Sequence, residues 1–170
     1  MITNYLLTYS TLVPIVLVLV GTICVGTGYL VLRSRRCGSG TLWILVVLSA
    51  FPIAFTLVPT STRMDDVTCV VQFAAPTLTR VELLANVAVF FPVVFFVTLA
   101  TRRRLLMVLV GTSFSAAIEA VQAMVPAIGR ACDTNDWAMN TIGTILAVML
   151  ANATIALASR VDRKNVGTES

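Results

Sequence analysis

Residues 119–143 read EAVQAMVPAIGRACDTNDWAMNTIG. They hold three acids, one arginine, two asparagines and a glutamine. On either side the chain is almost wholly apolar, LLMVLVGTSFSAAI before it and TILAVMLANATIALA after it. Two long apolar runs joined by a short polar link make an antiparallel pair of membrane-spanning helices. Polar groups within such spans are costly in lipid, so this cluster is a functional-site candidate.

The rest of the chain supports the membrane reading. Of 170 residues, 58% are hydrophobic and only 12% are charged, against about 25% charged in an ordinary soluble domain. Mean hydropathy is +0.93. Too few charges remain to cover a water-soluble globule, and the length leaves no room for a soluble domain beside several spans. The expected fold is all-α, an integral membrane bundle of about five transmembrane helices forming a single domain over residues 1–170. The spans are expected at about 12–32, 42–59, 83–100, 105–126 and 137–158. Pro52 and Pro92 fall inside two of them. The N-terminus has no Lys or Arg ahead of the first apolar run, so that run is expected to be a retained span rather than a cleaved signal. The polar tail after Lys164 is expected to be disordered.

Basic residues set the orientation. Arg33, Arg35 and Arg36 follow the first span, Arg102, Arg103 and Arg104 the third, and Arg160, Arg163 and Lys164 the fifth. The other two links hold only Arg63, Arg80 and Arg130. The positive-inside rule then places the N-terminus outside and the C-terminus in the cytoplasm. With bases clustered at span ends, the net charge of +4 is a topology signal, and no nucleic-acid partner is expected.

The same topology sorts the cysteines. Cys24 lies in the first span and Cys37 in a cytoplasmic link, while Cys69 and Cys132 fall in the two outer links. Only the outer compartment tolerates stable disulfides. A Cys69–Cys132 bridge is therefore expected, the alternative being two unrelated thiols. The link over residues 60–82 is long enough to carry structure of its own, and CVVQF within it (69–73) suits a short surface-lying segment.

Helix geometry gives the polar residues a depth. Glu119 lies about 10 Å below the outer edge of the fourth span, and Gln122 shares its face. Asp133, Asp136, Asn140 and Gly143 recur at spacings of three, four and three, one face of the fifth span. Asn86 enters from outside on the third. If these faces meet, they form a polar pocket open to the outer surface, with Gly143 permitting close helix approach. Asp133 or Thr134 suits the N-cap of the fifth span. Plainer roles compete: interhelical hydrogen bonds for Asn86, Gln122 and Asn140, helix-start acids for Asp133 and Asp136, a headgroup contact for Arg130. A buried glutamate is harder to dismiss, because it must be protonated, paired or hydrated. The chain has no histidine, which removes Ser-His and Cys-His nucleophile pairs. Any general base is a carboxylate. No metal-ligand motif is present, and neither metal nor cofactor is expected.

In Glu119, Gln122, Arg130, Asp133, Asp136, Asn140 and Gly143, in that order and spacing, the chain resembles the VanZ-like family of bacterial membrane proteins. ANVAVFFP (85–92) is similar to the family's asparagine-plus-proline span, although Val93 and Val94 stand where a glycine is expected soon after the proline. The resemblance covers the third to fifth spans. It implies a multi-pass protein of the bacterial cell membrane with a cell-envelope role, akin to the teicoplanin resistance for which the family is named.

Three functions compete. The first is an enzyme or binder acting on a membrane lipid headgroup or a lipid-linked wall precursor. Glu119 is then the candidate catalytic acid or base, with Asp136 and Asp133 beside it. Arg130 holds an anionic group, and Gln122, Asn140 and Asn86 orient the substrate. The second is a structural or scaffold protein, and the third a small transporter. The sequence sets no oligomeric state.

Overall fold

The computed structural model describes residues 12–34, 39–58, 69–73, 81–129 and 131–167. Within them the chain forms five helices: α1 (Leu12–Arg33), α2 (Ser39–Phe55), α3 (Val81–Thr101), α4 (Arg104–Met124) and α5 (Thr134–Gly167). Four of these, all but α2, are long and apolar enough to cross a membrane. At 17 residues α2 spans roughly 26 Å, close to the hydrocarbon thickness. Two short strands, β1 (Cys69–Val70) and β2 (Cys132–Asp133), pair in parallel across the links.

Local chemistry explains where the helix ends depart from expectation. α2 stops before residue 59 because its last turn tightens: the Thr56 N–H and hydroxyl both donate to the Ile53 carbonyl, at 3.0 and 2.7 Å. α4 ends at Met124, two residues before Pro126, since the residue preceding a proline is driven out of helical geometry. α5 begins three residues early. The Asp133 carboxylate accepts the Asn135 N–H at 2.8 Å, the N-cap bond to the second helical residue. At its other end α5 continues through Lys164 to Gly167, so the expected disordered tail is helical that far.

α3 is the central element and packs against each of the other four helices. Four phenylalanines build its core face: Phe90, Phe91, Phe95 and Phe96 are all buried. Phe95 stacks on Phe91 at 6.0 Å and meets Phe96 edge-on at 5.3 Å. Small residues of α5 fit against them, Ala147 and Ala151 being fully buried. The closest approach is at Gly143. A Cβ there would strike the Val87 carbonyl oxygen and lie 3.1 Å from the Val87 Cα. No rotamer change moves a backbone, so glycine sets the α3–α5 distance.

Hydrogen bonds show which helix ends share one side of the bundle. Gln122 near the end of α4 donates to the Thr56 carbonyl just past α2, at 3.1 Å. Asn86 near the start of α3 reaches Asp136 near the start of α5. The Cys69–Cys132 disulfide, with Cα atoms 4.6 Å apart, closes the same end. Arg33, Arg102, Arg103 and Arg104 belong to the opposite end, where α1 and α3 finish and α4 starts.

Candidate functional site at the disulfide end

The site grows from the seam between α4 and α5. The two helices are antiparallel, and each presents residues four apart, which recur on one helix face. From α4 come Glu119, Ser115 and Gly111; from α5 come Asp136, Asn140 and Thr144. Asn140 Nδ2 donates to Ser115 Oγ at 2.9 Å, both residues being buried. One turn deeper, Gly111 makes room for Thr144, whose Oγ1 lies 2.8 Å from where a Cβ on residue 111 would stand. Trp137 adds a crossing, its indole N–H donating to the Thr112 carbonyl at 3.2 Å. The polar face thus reaches about two turns, roughly 12 Å, from Glu119 toward the middle of the bundle.

Threonine hydroxyls inside the bundle behave in two ways. Thr98, Thr101, Thr141 and Thr154 donate to the carbonyl four residues back in their own helices, the usual refuge of a threonine in an apolar helix. Thr112 Oγ1 and Thr144 Oγ1 do not. Among the described residues they are the buried side-chain polar atoms without a hydrogen-bond partner.

Glu119 is buried, and its Oε2 accepts the backbone N–H of Asp133 at 2.9 Å. It therefore fixes the link just before α5 starts. Asp133 and Asp136 both lie within electrostatic range of its carboxyl. Asp136 Oδ1 accepts from Asn86 Nδ2 at 2.5 Å, tying α3 to α5. Asp133 serves twice: Oδ1 caps α5, while Oδ2 accepts from the Gln72 side chain at 2.8 Å. Thr134 completes the junction. Its hydroxyl donates to the Gln72 carbonyl at 2.9 Å and accepts the Gln72 N–H at 3.0 Å. Residues 69–73 thus form a strap across the start of α5, fastened by the disulfide and by Gln72.

Of the residues singled out from sequence, Glu119, Gln122, Asp133, Asp136, Asn140 and Asn86 gather at one end of the bundle, with Cys69 bonded to Cys132 beside them. Arg130 lies outside the described residues. Each of the three carboxylates accepts a hydrogen bond that joins chain segments, so each has a structural task whatever else it does. Among the described residues no three His, Cys, Asp or Glu side chains converge to hold a metal ion. Clefts of about 540 and 360 Å³ open between the described helices. The larger lies between α1, α3 and α5, lined by Leu17, Val18, Val87, Phe91, Leu146 and their neighbours. The smaller lies between α2, α3 and α4. Both are apolar, and none of the clustered polar residues lines either one.

Sequence reasoning missed Ser115, Thr112, Thr144, Gln72 and the Thr56 carbonyl. Ser115 and Thr144 had a usable signal, since each continues an existing four-residue spacing inward. The other three had none: Thr112 acts through its backbone and an orphaned hydroxyl, Thr56 through its backbone, and Gln72 depends on the strap's path.

No curated protein and no solved structure matches this chain. A protein-family model, described as VanZ/LLP1, matches residues 15–156, which takes in all five helices apart from their outermost ends. The polar seam and the helical bundle that carries it are those of a multi-pass membrane protein, and the chain belongs to the VanZ/LLP1 family.

Proposed function

We propose that this protein works in the bacterial cytoplasmic membrane, with its disulfide end outside and its C-terminus in the cytoplasm. There its polar cluster binds, or acts on, a lipid headgroup or a lipid-linked wall precursor, in a role like that of glycopeptide resistance. The observation that carries this reading is the concentration of polar side chains from α3, α4 and α5 at one end of an otherwise apolar bundle. A disulfide at that end suits an oxidising compartment, and the arginines at the other end suit the cytoplasm. Glu119 is the candidate acid or base, with Asp136 and Asp133 as neighbours. Arg130 is the candidate anion contact, and Gln122, Asn140 and Asn86 the orienting groups.

The test compares lipids, wall precursors and teicoplanin susceptibility in cells with the intact protein, without it, and with Glu119→Gln. The expected result is one altered precursor or lipid class, shared by the deletion and Glu119→Gln strains while folded protein is still made. An unchanged profile in both strains overturns the reading.

The scaffold reading has a specific observation of its own. Glu119 and Asp136 hold the outer link and α3 in place. If that is their whole task, Glu119→Gln and Asp136→Asn lower folded yield and leave the envelope chemistry of the surviving protein intact. The transporter reading has less support. Inward of Thr144 the seam meets Ala147 and Ala151, fully buried and apolar, and flux through proteoliposomes that depended on Glu119 would be needed to revive it.

A further inference from the structure

The strap over α5 carries side chains of two kinds. Residues 71–73 continue the strap beyond the end of β1. Gln72 spends its side chain and backbone on Asp133 and Thr134. Val71 and Phe73 on either side of it have no such partners among the described residues and are 76% and 72% exposed. Two large apolar side chains thus stand clear of the protein beside its most polar region.

Their height is fixed. Gln72 is bonded to Thr134, the first residue of α5 and of its membrane-spanning stretch. Val71 and Phe73 therefore lie level with the end of a span, where the hydrocarbon gives way to headgroups. The exposed apolar surface of α4 runs up to the same end through Phe114, Val121 and Met124 to Val125 just past it, and that of α2 through Phe51 to Leu57 and Val58 just past it. Exposed apolar side chains thus stand on the strap and on these helices at the same end of the bundle.

We propose that Val71 and Phe73 insert into the membrane interface, making the strap a lipid anchor. The occupant of this surface is the headgroup–acyl boundary of the surrounding bilayer. Phe73 supplies the larger apolar area for that insertion. The disulfide and Gln72 transmit that anchorage to Cys132 and Asp133. The Asp133 N–H carries it to Glu119, so the bilayer surface helps to set the position of the polar cluster.

The test uses the full chain reconstituted in phosphatidylcholine–phosphatidylglycerol vesicles. Phe73→Trp is read as the difference in emission from the unsubstituted protein, which removes the signals of Trp43 and Trp137. Blue-shifted emission, quenched more by bromines near the top of the acyl chain than by bromines at the bilayer centre, is the expected result. Emission typical of a water-exposed indole overturns the proposal. So does blue-shifted emission that bromolipids fail to quench, which would mean that a second copy or another protein segment covers the strap. A second measurement does not depend on the indole. In Val71→Ser/Phe73→Ser, a membrane-impermeant phosphine is expected to reduce Cys69–Cys132 severalfold faster than in the unsubstituted protein. An unchanged rate in a variant that still forms the disulfide counts against the anchor.

Discussion

α1 and α3 have the same peak hydropathy, 2.4, yet within these stretches 17% of α1 and 50% of α3 is buried. Hydropathy identifies both as membrane spans and says nothing about which one forms the core. The difference lies in side-chain shape and in the few polar groups. α3 carries four buried phenylalanines and Asn86, which give it specific partners on α5 and α4. α1 carries Val, Leu, Gly and Thr, and its firm point of fit is Gly28, where a Cβ would stand 2.6 Å from Leu99 of α3. In lipid there is little hydrophobic force between helices, so packing and hydrogen bonds decide the centre.

The comparison breaks most readily at Gly143. Gly143→Leu puts a side chain against the Val87 backbone, and relief requires α3 and α5 to separate. The expected cost is above about 4 kcal/mol, at the far end of what single substitutions do. The measure is folded yield by fluorescence-detected size exclusion, and near-normal recovery of Gly143→Leu would show that α3 and α5 are not locked at this point. A smaller, sharper test pairs one substitution from each helix. Phe95 of α3 is fully buried, while Val18 of α1 is 66% exposed toward lipid. Phe95→Ala is expected to cost about 3–5 kcal/mol, and Val18→Ala to stay within about 0.5 kcal/mol. Denaturant titration in detergent micelles reads both. Similar costs at the two positions would remove the distinction between core and periphery.

Much of this architecture is legible in the sequence, for identifiable reasons. Apolar run length gives five helices, and arginines mark their ends. The four-residue spacing of Asp136 and Asn140 gives the face that meets α4. Cys69 and Cys132 are the pair in the same two links, and they are joined. What the sequence withholds depends on three dimensions. Nothing in the run VELLANVAVFFP says that its helix lies at the centre. The carboxylate of Glu119 reads as an unpaired charge until the turn after α4 brings the Asp133 N–H to it. The inner half of the α4–α5 seam reads as apolar because Ser and Thr pass as helix filler, and only the register between the helices shows Thr144 facing Gly111. The spacing names the polar faces and leaves their bonding partners open. Here Asn86, Asn140 and Gln122 spend amide protons on Asp136, Ser115 and the Thr56 carbonyl.

Thr144 supplies the smallest expected effect, and its sign differs from the others. A buried hydroxyl without a partner costs about 1–3 kcal/mol relative to an apolar group of the same shape. Valine has that shape and adds no volume that Gly111 must accommodate. Thr144→Val is therefore expected to stabilise the protein by about 1 kcal/mol, which for a chain of this length raises Tm by 2–4 °C. Thr154→Val is the matched control. Thr154 donates to the Leu150 carbonyl at 2.8 Å, so its replacement is expected to be neutral or slightly destabilising. Thermal unfolding followed by size exclusion distinguishes the two. A fall in Tm for Thr144→Val would mean that this hydroxyl has a partner in the membrane-embedded protein. The α4–α5 seam would then be bonded two full turns below Glu119, whereas the contact of α1 with the core rests on packing at Gly28.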